Sequence, residues 1–269
     1  MNAALPFVFD QPMNAVAHDE ADLERRFGGL RRLYGDAAYA RLRAASVAVV
    51  GLGGVGSWAV EALARSGVAE LVLIDLDHVS ESNINRQVQA LSNTLGQHKG
   101  EALRERIAAI HPGCVVHVVD AFVDADNWPG LLPVAVQAVV DACDQVRAKT
   151  TLAAWAMQER LPLVCVGAAG GKCAAHQVEV QDLADTTHDP LLASLRQRLR
   201  KEFGAARQGR IGVRCVFSRE SVLAPADRHD AHANDCTLNC HGYGSSVTVT
   251  ATFGMVAAGE AINQLLALP

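Results

Sequence analysis

No Cys-x-x-Cys pair occurs among the seven cysteines of this 269-residue chain, which removes the two-pair structural zinc site from consideration. Cys236 and Cys240 come nearest, with His229, His232 and His241 around them. A Cys-x-x-x-Cys spacing without a second tight pair fits structural zinc poorly, so they stand as candidate thiols in a long polar loop over residues 224–244. Long apolar runs are also missing. The run from Val247 to Ala258 meets Glu260 and falls short of the roughly 18 to 20 residues a membrane span requires, so it is expected to be a buried helix. The first 22 residues contain Pro6 and Pro12 and lack a positive start before an apolar run. They predict a loose tail and not a signal peptide. With Cys143 and Cys165 set in apolar, strand-like runs, this indicates a reducing cytoplasm. Positive charge is scarce overall: the net charge of −5 argues against a uniformly basic nucleic-acid coat but leaves room for a local basic patch.

What the chain does have is 50% hydrophobic and 20% charged residues, enough for one large α/β domain or two small ones. The expected division is a tail over 1–22 and a single domain over 23–269, with a nucleotide-binding core over 46–170 and a substrate-facing part over 171–269. The organising stretch runs from Ser46 to Lys99. Val47-Ala48-Val49-Val50 reads as a strand, Gly51-Leu52-Gly53-Gly54-Val55-Gly56 as a turn and Ser57 to Ser66 as a helix. A glycine turn between a strand and a helix N-terminus lets backbone N–H groups approach a phosphate, and the helix dipole favours negative charge there. A turn that merely permits close helix–strand packing is the plainer alternative.

The second strand, Leu71-Val72-Leu73-Ile74, ends in Asp75, where a doubly wound sheet sets a carboxylate against ribose hydroxyls. Asp75-Leu76-Asp77 is followed by Ser82-Asn83-Ile84-Asn85-Arg86-Gln87 and by Lys99. A module that only binds NAD needs no such cations, whereas a triphosphate about to be split does. The pattern favours ATP over NAD.

Further strands are expected over Val115 to Val119, Ala138 to Asp141 and Leu163 to Val166, alternating with helices over Gly100 to Ile110 and Arg147 to Glu159. This is an α/β, Rossmann-like, mostly parallel sheet flanked by helices. Gly167-Ala168-Ala169-Gly170-Gly171 follows the fifth strand, either as a turn into an antiparallel strand near Gln177 to Val180 or as a floor for a substrate carboxylate. A helix over Leu191 to Phe203 and a loop complete the C-terminal extension. That stretch carries Arg196, Arg198, Arg200, Lys201, Arg207, Arg210 and Arg214 against the single acid Glu202. A solvated helix face and a phosphate-backbone contact surface both account for the excess. Leu23 to Arg43 is an Arg-rich helical lead-in.

The Gly-x-Gly-Gly-x-Gly turn, Asp-x-Asp, Asn-x-x-Arg and following Lys resemble the ubiquitin-activating-enzyme-like (ThiF/MoeB) adenylating family. The resemblance implies that Asp75 holds ribose, with Asp77 and Ser82 near the nucleotide. Asn83, Arg86 and Lys99 would hold phosphates and Asp144 Mg²⁺. It also implies a homodimer in which Arg25 or Arg26 reaches the partner's nucleotide, and it leaves a monovalent cation beside the Gly167–Gly171 turn open. Taken singly, Arg86 could be a surface arginine, Asp77 a helix-start cap and Asp141 a structural acid bonded to a turn. Arg26-Phe27-Gly28-Gly29, Leu33-Tyr34-Gly35, Arg214-Cys215-Val216-Phe217-Ser218 and Val249-Thr250-Ala251-Thr252-Phe253-Gly254 are similar to the family's tRNA-modifying branch. That branch adenylates the threonyl carboxylate of N6-threonylcarbamoyladenosine at position 37 of tRNA and cyclises it. The basic 196–214 stretch would then hold tRNA. Two rivals stay open: a sulfur-transfer adenylase acting on a carrier protein, with Cys236 or Cys240 as persulfide carrier and a cysteine-desulfurase or sulfur-acceptor partner, and an NAD-binding Rossmann module.

Overall fold

A computed structural model describes residues 21–223 and 243–267. Seven strands form one sheet: β1 (Ser46–Val50), β2 (Glu70–Ile74), β3 (Val115–Val119), β4 (Ala138–Asp141), β5 (Leu163–Val166), β6 (Val178–Asp182) and β7 (Arg214–Ser218). Their spatial order is β3-β2-β1-β4-β5-β7-β6. All neighbours run parallel except β6 and β7. The order turns back between β1 and β4, so their carboxyl ends frame the crevice where such sheets bind ligands.

Period-2 patterning assigns each strand residue to one of two cores. Val47, Val49, Leu71, Leu73, Val140 and Val216 point to one face, covered by α3 (Gly56–Arg65), α4 (Lys99–Ile110) and α7 (Val247–Ala267). Ala48, Val50, Val72, Ile74, Val139 and Phe217 point to the other, covered by α5 (Val146–Glu159) and α6 (Pro190–Glu202). With both faces covered, β1 is buried at all five positions, which explains its unbroken apolar run. The Val247–Ala258 run lies within α7 and buries Val249, Phe253, Ala257 and Ala258 as expected. No helix among the described residues is long and apolar enough to cross a membrane.

The expected strands and helices agree with the structure to within a residue or two, with three differences, one of which is that α7 runs on past Ala258 to Ala267. The lead-in is two helices, α1 (Leu23–Tyr34) and α2 (Asp36–Leu42), because Gly35 at φ 82° stops the first. The strand β7 was not anticipated: its apolar core is only Cys215-Val216-Phe217, flanked by the polar Arg214 and Ser218.

Where α1 meets the body, Phe27 packs edge-on against the buried His111, with ring centroids 4.7 Å apart. Arg43 Nη1 lies 2.9 Å from His111 Nε2. A guanidinium only donates, so Nε2 accepts and the ring is neutral. Burial, with the Arg43 charge, pulls the His111 pKa down to about 4. The folded pKa lies below the ordinary value of 6.5, so in the window between the two the unfolded chain binds more protons. Stability from this site is full above pH 6.5 and is lost as pH falls towards 4. Melting temperature should therefore decline across that interval, and His111→Gln should flatten the slope; an unchanged slope in the variant would count against the assignment.

Candidate active site

The turn after β1 is shaped by contact with the segment after β4. Gly51 sits at φ 85°, and a Cβ there would lie 2.8 Å from the Cys143 amide nitrogen. A Cβ on Gly56 would overlap the Gly51 carbonyl oxygen. Only glycine satisfies both constraints, and the result is a tight loop that leads from β1 into α3. Gly53 has open space around it, and Gly54 lies against the aliphatic stem of Arg86, whose Cγ would be 3.2 Å from a Cβ there.

Asp75, buried at the end of β2, accepts the Leu52 N–H at 2.6 Å through Oδ2 and the Asp77 N–H at 2.8 Å through Oδ1. It thereby ties the glycine turn to the second strand and keeps lone pairs on both oxygens for a hydroxyl donor. Lys99 is the first residue of α4, and its backbone N–H bonds the Asp77 carbonyl at 3.0 Å. The 7% exposed side chain places Nζ 2.7 Å from Asp77 Oδ2 and 3.9 Å from Asp75 Oδ1. The acid pair and the lysine, 22 to 24 residues apart in sequence, thus form one cluster.

Arg86 is brought in by a short 3₁₀ turn, Glu81–Asn83, capped reciprocally by Ser80 and Asn83. Asn83 is buried and its Oδ1 accepts the Ser80 N–H at 3.1 Å, so it shapes the turn; the Ser82 hydroxyl lies 2.9 Å from that of Ser80. Arg86 Nη1 donates to the Ser82 carbonyl at 2.7 Å and to Asn85 Oδ1 at 2.9 Å. Two anchors unrecognised in the sequence hold this segment. Trp58 Nε1 donates to the Arg86 carbonyl at 2.9 Å, and the buried Gln89 donates to the Leu52 carbonyl at 3.0 Å. Neither residue belongs to a spacing pattern, so nothing in the chain's order marked them.

Asp144 is the exposed residue of the otherwise half-buried segment 142–145 after β4. Desolvation in the crevice raises its pKa, and the Asp77 and Asp75 charges add to this, against its own backbone hydrogen bond and Lys149. Three carboxylates therefore feel one another at this end of the sheet, and a divalent cation would relieve that repulsion. Among the described residues no three metal-ligating side chains converge closely enough to hold an ion alone. The donor set fits Mg²⁺, which is bound through one or two carboxylates together with phosphate oxygens.

Asp141, at the end of β4, does not face the crevice. It is fully buried and pairs with Lys149 Nζ at 3.0 Å, while the Cys143 thiol donates to its Oδ1 at 2.9 Å and the Cys165 thiol to its Oδ2 at 3.3 Å. Burial, then the Asp141 charge, pushes both thiols well above the ordinary cysteine range, so they are packing groups and not nucleophiles.

The basic stretch divides in the structure. Arg196 Nη1 donates to the carbonyls of Leu183 and Thr186 and to the Thr186 hydroxyl, at 2.9 to 3.0 Å, so its charge fastens a turn. Arg198 pairs with Glu202, Arg200 donates to the Ala206 carbonyl, and Arg214 pairs with Glu260. Lys201, Arg207 and Arg210 are exposed, Arg210 lying 3.8 Å from Asp182. Arg26 Nη1 donates to the Ile110 carbonyl at 2.6 Å, closing the C-terminus of α4 in its own chain, and Arg25 is exposed. Beside the Gly167–Gly171 turn, the buried Lys172 ammonium bonds the carbonyls of Ser218 and Glu220 at 3.0 and 2.9 Å. Cys236 and Cys240 lie outside the described residues.

A glycine turn between β1 and α3, a buried acid at the end of β2 and the cations Arg86 and Lys99, set beside a topological switch point, define an α/β protein of the nucleotide-binding type. More narrowly, the chain belongs to the ThiF family, whose model matches residues 26–269. It is 44% identical over 252 residues to the tRNA threonylcarbamoyladenosine dehydratase of Escherichia coli, covering 90% of this chain and 94% of that protein. The crystal structure of that E. coli dehydratase in complex with ATP superposes with a TM-score of 0.82 at 44% identity, over 92% of this chain and 96% of that one. The molybdopterin-synthase adenylyltransferase of Salmonella typhimurium is 39% identical over 123 residues, which is 46% of this chain and 49% of that protein.

Proposed function

We propose that this chain is an ATP-dependent dehydratase that adenylates the carboxylate of N6-threonylcarbamoyladenosine at position 37 of tRNA and cyclises it, releasing AMP and pyrophosphate. One observation carries the reading: likeness to the E. coli dehydratase extends over 94% of that protein, whereas likeness to the molybdopterin-synthase adenylyltransferase stops at about half of either chain. The missing Cys-x-x-Cys pairs agree with it.

The substrate carboxylate is already anionic at pH 7, so it needs no general base. Alignment and charge neutralisation supply most of the acceleration. Asp75 accepts from the ribose hydroxyls, and the Gly53–Gly54 backbone lets the nucleotide lie close. Arg86 and Lys99 bind phosphate oxygens; Lys99 has three N–H donors, so its bond to Asp77 leaves others to give. Asp144 would hold Mg²⁺, which when bound offsets the charge of the departing pyrophosphate. The carboxylate oxygen bonds to the α-phosphorus as the bond to pyrophosphate breaks. The neighbouring carbamoyl group then attacks the activated carboxyl carbon, AMP leaves with the carboxylate oxygen, and the carbamoyl group gives up one N–H proton to solvent. Because the nucleophile is within the substrate, its high effective molarity removes any need for an enzyme thiol.

The reading includes a homodimer, a tRNA backbone track along Lys201, Arg207 and Arg210, and action in the cytoplasm. A monovalent cation beside the Gly167–Gly171 turn would need ligands other than the carbonyls Lys172 occupies. Pyrophosphate release should be stimulated by tRNA bearing the modified adenosine and should survive Cys236→Ala and Cys240→Ala. Stimulation only by a small carrier protein, with loss in the cysteine variants, would favour the sulfur-transfer adenylase; ATP-independent NAD binding would favour the Rossmann module. Mass spectrometry of tRNA from cells lacking the protein should show the uncyclised nucleoside accumulating.

A further inference from the structure

The N-cap of α4 is a histidine, at a position where serine, threonine, aspartate and asparagine ordinarily serve. His98 Nδ1 accepts the Gly100 N–H at 3.1 Å, which is all that a cap requires. An imidazole has a second nitrogen, and His98 Nε2 lies 3.0 Å from the main-chain carbonyl of Asp75, 23 residues earlier at the end of β2. Because an amide only donates and a carbonyl only accepts, the proton sits on Nε2 and the ring is neutral. The exposed Asp120 carboxylate offers the same nitrogen a more distant acceptor, at 3.4 Å.

The ring occupies a fitted niche. It is 12% exposed, and the His78 ring meets it edge-on with centroids 5.5 Å apart. A Cβ on Gly100 would stand 3.2 Å from its Cε1 and Nδ1 and 2.6 Å from Val118 Cγ1, so glycine is what lets α4 begin against this ring. The main chain runs alongside, with the Lys99 N–H bonded to the Asp77 carbonyl at 3.0 Å and the Val79 N–H to the Gln97 carbonyl at 2.8 Å.

Lys99 lies between the two residues that the ring fastens. Its Nζ is 2.7 Å from Asp77 Oδ2 and 3.9 Å from Asp75 Oδ1, while Asp75 Oδ2 holds the Leu52 N–H of the glycine turn at 2.6 Å. A lysine stem is flexible, so where its ammonium stands depends on where its backbone starts. We infer that His98 is a positioning residue for the adenylation site: by tying the start of α4 to the Asp75 carbonyl, it fixes the spacing between the Lys99 ammonium and the Asp75 carboxylate. A short cap such as asparagine would start the helix equally well and leave that spacing unset. The inference rests on the adenylation proposed above.

Two variants of the full chain separate the bonds. In His98→Asn the side-chain oxygen can take the place of Nδ1 and keep the cap, but the amide is too short to reach Asp75. In His98→Gln the side-chain nitrogen can take the place of Nε2 and keep the tie, at the expense of the cap. Each gives up one hydrogen bond, so both should melt roughly 2 to 4 °C below the parent. Their rates should differ. Misplacement of a catalytic group by about 1 Å costs roughly 10²-fold. With ATP, Mg²⁺ and tRNA bearing N6-threonylcarbamoyladenosine, His98→Asn should lose up to about that factor in pyrophosphate release, mostly in kcat, since the glycine turn and Arg86 still hold ATP. His98→Gln should recover most of the rate. Equal rates in the two variants, whether both parent-like or both lowered, overturn the inference, as does a loss in His98→Asn carried by KM for ATP alone. A parent chain that releases no pyrophosphate overturns the adenylation reading, and this inference with it.

Discussion

Arg86→Ala is expected to lower the rate of adenylation by roughly 10³-fold or more while leaving the protein folded. The size follows from the role proposed for the side chain: an arginine that meets charge developing on a transferring phosphoryl group contributes about 10³ to 10⁵ in rate, and removal of a single preorganised donor costs about 10² to 10³. Folding should be spared because, among the described residues, the Arg86 guanidinium bonds the Ser82 carbonyl and Asn85 Oδ1, both in its own loop. The contact that fixes the loop to α3 uses the Arg86 backbone carbonyl, accepted from Trp58 Nε1, and the substitution leaves it in place. Surface substitutions of this kind change stability by about 0.5 kcal/mol or less. Single-turnover formation of the adenylate, read beside a melting curve, checks both halves. A variant that adenylates at near-parental rate removes Arg86 from the phosphate site, and one that melts much lower makes it a structural residue. Asp144→Ala should behave alike, with the added signature that excess Mg²⁺ does not restore the rate.

Lys149→Met is expected to destabilise the fold by about 3 to 5 kcal/mol, the cost of leaving a buried carboxylate without its counter-ion. For a chain of this size that is roughly 10 °C in melting temperature. Lys149 and Asp141 are both fully buried, 3.0 Å apart, and Lys149 also donates to the Asp141 carbonyl at 3.2 Å. Burial alone would lower the lysine's pKa; the Asp141 carboxylate, with the neighbouring sulfurs, outweighs it and holds the ammonium above the ordinary lysine range. A group with a raised folded pKa contributes stability that is present at low and neutral pH and fades only above that range, so the pair is intact at pH 7. The double variant Asp141→Leu with Lys149→Met should recover much of the loss, since an apolar replacement of a buried pair is often near neutral. Recovery should be incomplete, because Asp141 Oδ1 also accepts the Cys143 N–H at 3.2 Å. A single variant that melts within about 1 kcal/mol of the parent would show that water or another cation reaches Asp141. The pair also bears on the site, since it fixes the segment whose Ala142–Cys143 backbone packs against Gly51.

Much of the architecture was legible because the signals are local. The five-residue strand β1 and its glycine turn, the ends of β3, β4 and β5, and the burial of α7 follow from apolar periodicity and from glycine, which needs no partner to be recognised. The cluster of Asp75, Asp77 and Lys99 was legible for a different reason: its residue types recur in a spaced pattern, and the three do come together. Arg196 shows where this ends. As a charge on a basic helix it suggested a nucleic-acid contact, yet its guanidinium turns back onto the Leu183–Thr186 turn. Exposed and inward-facing arginines have the same composition and differ only in which carbonyls happen to be near.

The chain's order alone determined that a strand, a glycine turn, a helix and an acid-ended strand follow one another, and which residue types stand near the carboxyl ends of β1 and β2. Only tertiary structure decided that β7 inserts between β5 and β6 and that Lys149 belongs to Asp141. The reason is the range of the forces concerned. Backbone sterics and side-chain periodicity act over a few residues and are written in order along the chain, whereas a hydrogen bond, a buried ion pair or a cavity wall is set by whichever distant segments the packed cores bring together.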